Sequence, residues 1–353
     1  MTGYERCMAA LRWERPDRVP VVPQNSDMAI HLAGYDMIEA SKDPVKLANA
    51  LLEAQACFGY DGILLGPDAA ILAEAIGCET VYRADNPPAI VGTAIGDLSE
   101  VKKLKVPDMH RDGRMHIWME ASRIIRKRLG KSVFLICRAD QCAFSLAALI
   151  FGMENLSMAI AEGERGDEIA ALLRFAYDCH VAFARAIRDA GVDMTTCGDS
   201  YGGPALIGPG NYQTLVFPWE RDAANFIQNQ LGIPYSIHIC GDTHGIHDLW
   251  PRTGAACFEV DHKTNIGSLR RTTVGKTALL GNLDTGILCT GTASEVEQSC
   301  TDLFRIMGRE SGFLLSSGCS MSSNSSPELL TVMVETAKEY GGYQTKSNEG
   351  ISE

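Results

Sequence analysis

Residues 235–242 read YSIHICGD, and this stretch decides the fold. On a β-strand, residues two apart share a face, so His238 and Cys240 project together while Ile239 turns toward the opposite side. Gly241 then breaks the run. The same pattern, a short apolar and β-branched run followed by turn residues, recurs at 19–22, 62–65, 133–137, 193–197, 257–261, 278–281 and 312–316. Longer segments with helical spacing lie between these runs, at 44–58, 114–129, 167–190, 211–231, 293–309 and 327–340, several opened by Ser, Asp, Asn or Pro. Eight strand-helix alternations predict an α/β protein, a (β/α)₈ TIM barrel, with a doubly wound open sheet as the alternative. Residues 78–92, CETVYRADNPPAIVG, predict a small hairpin insertion after the second βα unit, placed to cover a barrel mouth. A single domain over 1–343 and a loose polar tail over 344–353 complete the expected organisation.

The composition fits this architecture. The chain has 353 residues, 46% hydrophobic and 22% charged, enough for one large core and far from a disordered or disulfide-scaffold composition. Its 12 cysteines run from Cys7 to Cys319 with no secretory segment before them, which points to a reducing, cytoplasmic setting with free or metal-bound thiols. No segment approaches the roughly 20 apolar residues of a membrane-spanning helix. A net charge of −12 argues against a nucleic-acid partner held through its phosphates.

In a barrel of this kind, functional groups gather where the strands end. The sequence places Asp68 after the second strand, Arg138 and Asp140 after the third, and Cys197 and Asp199 at the fourth. His238 and Cys240 end the fifth, Glu259, Asp261 and His262 the sixth, Asn282 and Asp284 the seventh, and Cys319 the eighth. His238 and Cys240, joined by Cys319 of SSGC, make a set of two thiolates and one imidazole suited to Zn²⁺, with a fourth position left open for substrate. The competing reading is that these thiols are packed as small apolar side chains. His244 and His247 form a less complete set on a helix surface. Asp242-Thr243-His244 opens like a corrinoid-binding motif, but His247 stands where that motif needs glycine, so a corrinoid is expected on a separate protein.

The segments ERPDRVPV (14–21), AEAIGCE (73–79), CGDSYGGPALIGPGNY (197–212), HICGD (238–242), GNLDT (281–285) and SSGC (316–319) carry a family likeness. Over roughly 4–340 the chain resembles the uroporphyrinogen decarboxylase superfamily. Within it, the likeness is to the zinc-dependent methylcobamide:coenzyme M methyltransferases. The resemblance implies zinc at His238, Cys240 and Cys319, and a mouth lined by Asp199, Tyr201 and Asp284. It also implies a carboxylate after the sixth strand, Glu259 or Asp261, as a fourth ligand when substrate is absent. The implied activity is methyl transfer between a methylated corrinoid protein and a small thiol such as coenzyme M, with Arg138 as the cation for a sulfonate. The reverse assignment takes methyl from a methoxylated or methylated compound to a cobalt(I) corrinoid protein. A non-catalytic binding barrel is a third reading. The decarboxylase itself is disfavoured, because QNSDMAIHLAG (24–34) has no arginine where that enzyme carries its carboxylate-binding pair.

Overall fold

The computed structural model describes residues 1–308 and 310–343; the expected tail at 344–353 lies outside them. Seven strands form one parallel sheet in sequence order: β1 (Gly62–Leu65), β2 (Phe134–Gln141), β3 (Met194–Gly198), β4 (Tyr235–Ile239), β5 (Cys257–Val260), β6 (Ala278–Leu283) and β7 (Phe313–Ser317). Each connection between them carries helix, as a parallel pairing requires. The helix Pro44–Phe58 illustrates why the boundaries fall where they do. The Asp43 carboxylate accepts from Val45 N and Lys46 N, Pro44 opens the first turn, and Gly59 ends the helix at φ 68°.

The expected first strand, 19–22, is not a strand. It makes a single parallel bridge, Val21 to Leu315. Pro20 and Pro23 remove amide donors on either side, so no ladder propagates. The segment nonetheless touches both edges of the sheet. Leu315 N donates to Pro20 O at 2.8 Å and Val22 N to Leu315 O at 2.9 Å on one side, while Asp61 N donates to Val21 O at 2.8 Å on the other. The sheet therefore curls until its two edges meet on one stretch of chain. Asp61 fastens the seam. Its carboxylate accepts from Val21 N at 2.8 Å, from both ends of the Arg18 guanidinium at 2.7 and 3.1 Å, and from Arg6. Asp61→Asn is expected to lower stability by about 2–3 kcal/mol, because Arg18 loses its carboxylate partner and buried Arg6 is left with Asp17 alone. Urea unfolding monitored by circular dichroism measures it, and an unchanged midpoint would remove Asp61 from this role.

Inside the curl, the period of two separates apolar from polar layers. Leu64, Phe134, Ile136, Met194, Cys257, Ala278, Leu280 and Leu314 pack with Cys7, Ala10 and Leu11 of the helix Gly3–Leu11, which plugs the end where the strands begin. Two residues further along the strands the same face turns polar: Ile136 gives way to Arg138, Met194 to Thr196, Cys257 to Glu259 and Leu314 to Ser316. Outward-facing residues such as Leu135, Cys137, Ile237 and Ile239 join the larger core under the helices. Residues Thr80–Val81 and Ala89–Ile90 pair antiparallel over two residues each. The predicted helix 211–231 is interrupted by π-helical turns at Tyr212–Val216 and Ile227–Leu231. No single helix among the described residues is long and apolar enough to cross a membrane.

Candidate metal centre

A cavity of about 530 Å³ opens at the C-terminal ends of the strands. His238, Cys240 and Cys319 stand on its wall beside Gln24, Asp27, Asp68, Arg138, Gln141, Ser200 and Tyr201, and the segment Pro87 to Ile90 lines it from above the sheet. His238 Nε2 lies 3.1 Å from Cys240 Sγ and 3.8 Å from Cys319 Sγ, and the two sulfurs are 3.9 Å apart. Two sulfurs bound to one tetrahedral zinc at ~2.3 Å stand about 3.8 Å apart, so the two thiols already have the separation that ion needs, while His238 Nε2 must draw back slightly from Cys240.

The supporting contacts orient each donor. His238 Nδ1 is 3.0 Å from the carbonyl oxygen of Glu259. A carbonyl only accepts, so Nδ1 carries the hydrogen and the Nε2 lone pair faces the thiols. Cys240 N donates to Ser200 Oγ at 3.0 Å, fixing the turn that begins at Gly241 with φ 88°. Gly318 must be glycine, because a Cβ there would come 2.5 Å from His262 N. Cys240 and Cys319 share their protons. The Cys319 hydrogen bond, with His238 beside it, holds the Cys240 thiol well below its ordinary value, while the same bond pushes Cys319 up. Burial opposes a charge on His238, but the Cys240 thiolate prevails and raises the ring.

The other expected site residues divide. Arg138 is buried against the cavity, its Nη2 3.3 Å from Glu259 Oε2 and 3.2 Å from Gln24 Oε1. Glu259 also accepts from the Thr196 hydroxyl. Asp68 lines the cavity but its carboxylate is held by Arg114 at 2.9 Å. Tyr201 reaches the cavity and is partly exposed. Asp199 does not line the mouth: it is fully buried, accepts from Ser145 N at 2.8 Å, and so caps the helix Ala143–Phe151. Asp284 caps the helix Thr285–Thr290 through Gly286 N at 2.8 Å. Neither Glu259 nor Asp261 joins the three donors that lie within 4.8 Å of one another. Glu259 is engaged by Arg138, and Asp261 accepts from Lys263 N at 2.8 Å. His247 is buried between Thr243 and Ser268, and His244 opens only a single 3-10 turn.

Asp27 was not expected. It lines the cavity in the QNSD segment, where the only sequence signal was a missing arginine. Burial, then the Asp68 charge, push its carboxyl up to about 7. The folded chain holds this proton more tightly than the unfolded chain, so stability is lost as pH rises from about 4 toward 7. Asp27→Asn is expected to raise Tm by about 1–3 °C at pH 8, with the gain shrinking toward zero at pH 4. Calorimetry at the two pH values checks this; equal gains at both would assign the effect elsewhere.

The uroporphyrinogen decarboxylase (URO-D) family model matches residues 2–340. The chain belongs to the URO-D family. Among its relatives, the methylcobamide:CoM methyltransferase MtbA of Methanosarcina acetivorans is 28% identical over 351 residues, covering 96% of this chain and 99% of the relative. The methylated-thiol–coenzyme M methyltransferase of Methanosarcina mazei is 23% identical over 344 residues, covering 96% and 90%. A solved methyltransferase from Methanosarcina mazei superposes with a TM-score of 0.88 at 20% identity, covering 96% of this chain and 99% of that one. That superposition places the curled parallel sheet among TIM-barrel-like URO-D folds.

Proposed function

We propose that this URO-D family chain is a zinc-dependent methyltransferase of a corrinoid system, moving methyl between a methylated corrinoid protein and a small thiol such as coenzyme M. The observation that carries the reading is the set of His238, Cys240 and Cys319, whose three donor atoms meet on the wall of an open cavity. The printed activities of the relatives point the same way. His238, Cys240 and Cys319 would hold the ion. When bound, zinc supplies Lewis acidity that keeps an incoming thiol deprotonated near neutral pH. A methylated corrinoid on the partner protein would supply the methyl group, with cobalt(I) as its leaving form, and the thiol proton would pass to solvent.

The chain's own residues prepare this event. Glu259 O and Ser200 Oγ fix the donor geometry, and Arg138 offers the cavity's guanidinium to an anionic acceptor. Tyr201 is placed to touch the substrate. Asp199, Asp284 and Asp68 act by positioning, through the helix caps and the Arg114 pair described above. The fourth coordination position is read as open, since Glu259 is committed to Arg138. Residues 1–343 are read as one domain, a (β/α)₈ barrel closed by 19–22, with residues 78–92 as an insertion over its mouth. All twelve cysteines are free, which suits a cytoplasmic protein. Decarboxylation of a polycarboxylate is disfavoured, because Asp27 and Gln24 occupy the cavity segment where arginines would be needed.

The thiolate-rich donor set favours a thiol acceptor over polarisation of an ether oxygen. Mixing the protein with a methylated corrinoid protein and a thiol panel tests the direction. Cobalt(I) absorption appearing only with thiols supports the acceptor role. Demethylation of an aryl methyl ether by the cobalt(I) corrinoid protein would reverse it.

A further inference from the structure

We propose, resting on the methyl-transfer reading above, that the thiol served by this cavity is an amino-acid thiol, its ammonium held by Asp27 and its carboxylate by Arg138. Asp27 stands in the first turn of the helix Ser26–Leu32 and lines the cavity together with the three metal donors. Among the described residues no hydrogen bond or ion pair reaches its carboxyl; burial and the charge of Asp68 act on it, and both push it up. The other carboxylates nearby are already matched. Asp68 is held by Arg114 at 2.9 Å and accepts from Ala70 N at 3.0 Å, and Glu259 is held by Arg138 at 3.3 Å. Zinc with two cysteine thiolates sums to zero, so Asp27 is the carboxyl of the cavity wall left without a counter-charge.

A carboxylate kept from water without a partner is costly, and a cation brought in by a ligand offsets that cost. Arg138 meets the other end of such a ligand. Its Nη2 makes both of its hydrogen bonds, to Gln24 and Glu259, which leaves Nε and Nη1 without partners among the described residues, and neither is sealed in the core. A guanidinium with donors to spare and a carboxyl with none to receive, on one cavity wall, complement a zwitterion. A sulfonated thiol without an ammonium would use Arg138 alone and leave Asp27 unpaired. Sites built around a buried polar group discriminate strongly against an analogue that lacks its partner, so the ammonium should be read as a requirement and not as a passive addition.

Two thiols that differ only in the ammonium, homocysteine and 4-mercaptobutyrate, test the proposal on the zinc-loaded full chain with a methylated corrinoid protein. The expected kcat/KM is at least about tenfold higher for homocysteine, and Asp27→Asn is expected to bring the ratio within about twofold. Equal kcat/KM for the two thiols in the wild type overturns the amino-acid thiol and leaves methyl transfer standing. Transfer to neither of them, nor to coenzyme M, overturns the methyl-transfer reading itself. Calorimetry on the metal-free protein gives a readout apart from turnover, with the thioethers methionine and 4-(methylthio)butyrate as probes. Methionine is expected to bind at least about tenfold more tightly to the wild type, with the preference lost in Asp27→Asn. Equal affinities, or a preference that survives Asp27→Asn, would remove Asp27 from the recognition of the ammonium.

Discussion

Cys240→Ser is expected to lower methyl transfer by at least about 10³-fold, roughly 4 kcal/mol of barrier, while leaving the fold intact. Three features argue for an effect of this size. Cys240 is the sulfur exposed to the cavity, the one held low by its neighbours, and the one placed by its own amide against Ser200. Serine keeps the amide contact and the approximate volume but not a thiolate, so the loss falls on the donor set and not on packing. Ser200→Ala, by contrast, relaxes only the turn and is expected to cost about 10-fold. Activity of Cys240→Ser within a few fold of wild type would remove the donor set from the mechanism.

Arg138→Met is the change expected to hurt stability most, by about 3–5 kcal/mol. The guanidinium is buried between Glu259 and Gln24, and Glu259 is itself fully buried. Without its partner the carboxylate is left charged and dry, with the Thr196 hydroxyl as its remaining side-chain donor. Adding Glu259→Gln removes that charge, keeps an acceptor for Thr196, and is expected to restore most of the loss. The rescued double variant then isolates the second role of Arg138. Its KM for an anionic thiol such as coenzyme M should rise by about tenfold or more, while KM for a neutral thiol stays within about twofold. Equal changes for both thiols would confine Arg138 to structure.

His238 and Cys240 were legible in the sequence because strand periodicity puts i and i+2 on one face, and no long-range information is needed. Cys319 was legible through its position at another strand end, after a glycine whose close approach to His262 explains the SSGC turn. Asp199 and Asp284 both cap helices, a role the sequence leaves open beside a place at the mouth. An aspartate just past a strand serves equally well as a cavity wall or as the cap of a nearby helix, and the residue type is the same in both roles. Residues 19–22 have a strand's apolar pattern, but periodicity says nothing of the amide donors that two prolines remove.

The bridge that joins Arg18 to Gly342, with Val19 N donating to Gly341 O at 2.9 Å, brings the two ends of the described chain side by side. They meet at the end of the sheet plugged by the helix Gly3–Leu11, the pole opposite the cavity. A label, a surface tether or a fused carrier attached near Tyr343 would therefore leave from the far pole, and a bulky delivery protein could still dock at the open one. Immobilised through that end, the molecule would present every cavity outward in the same orientation.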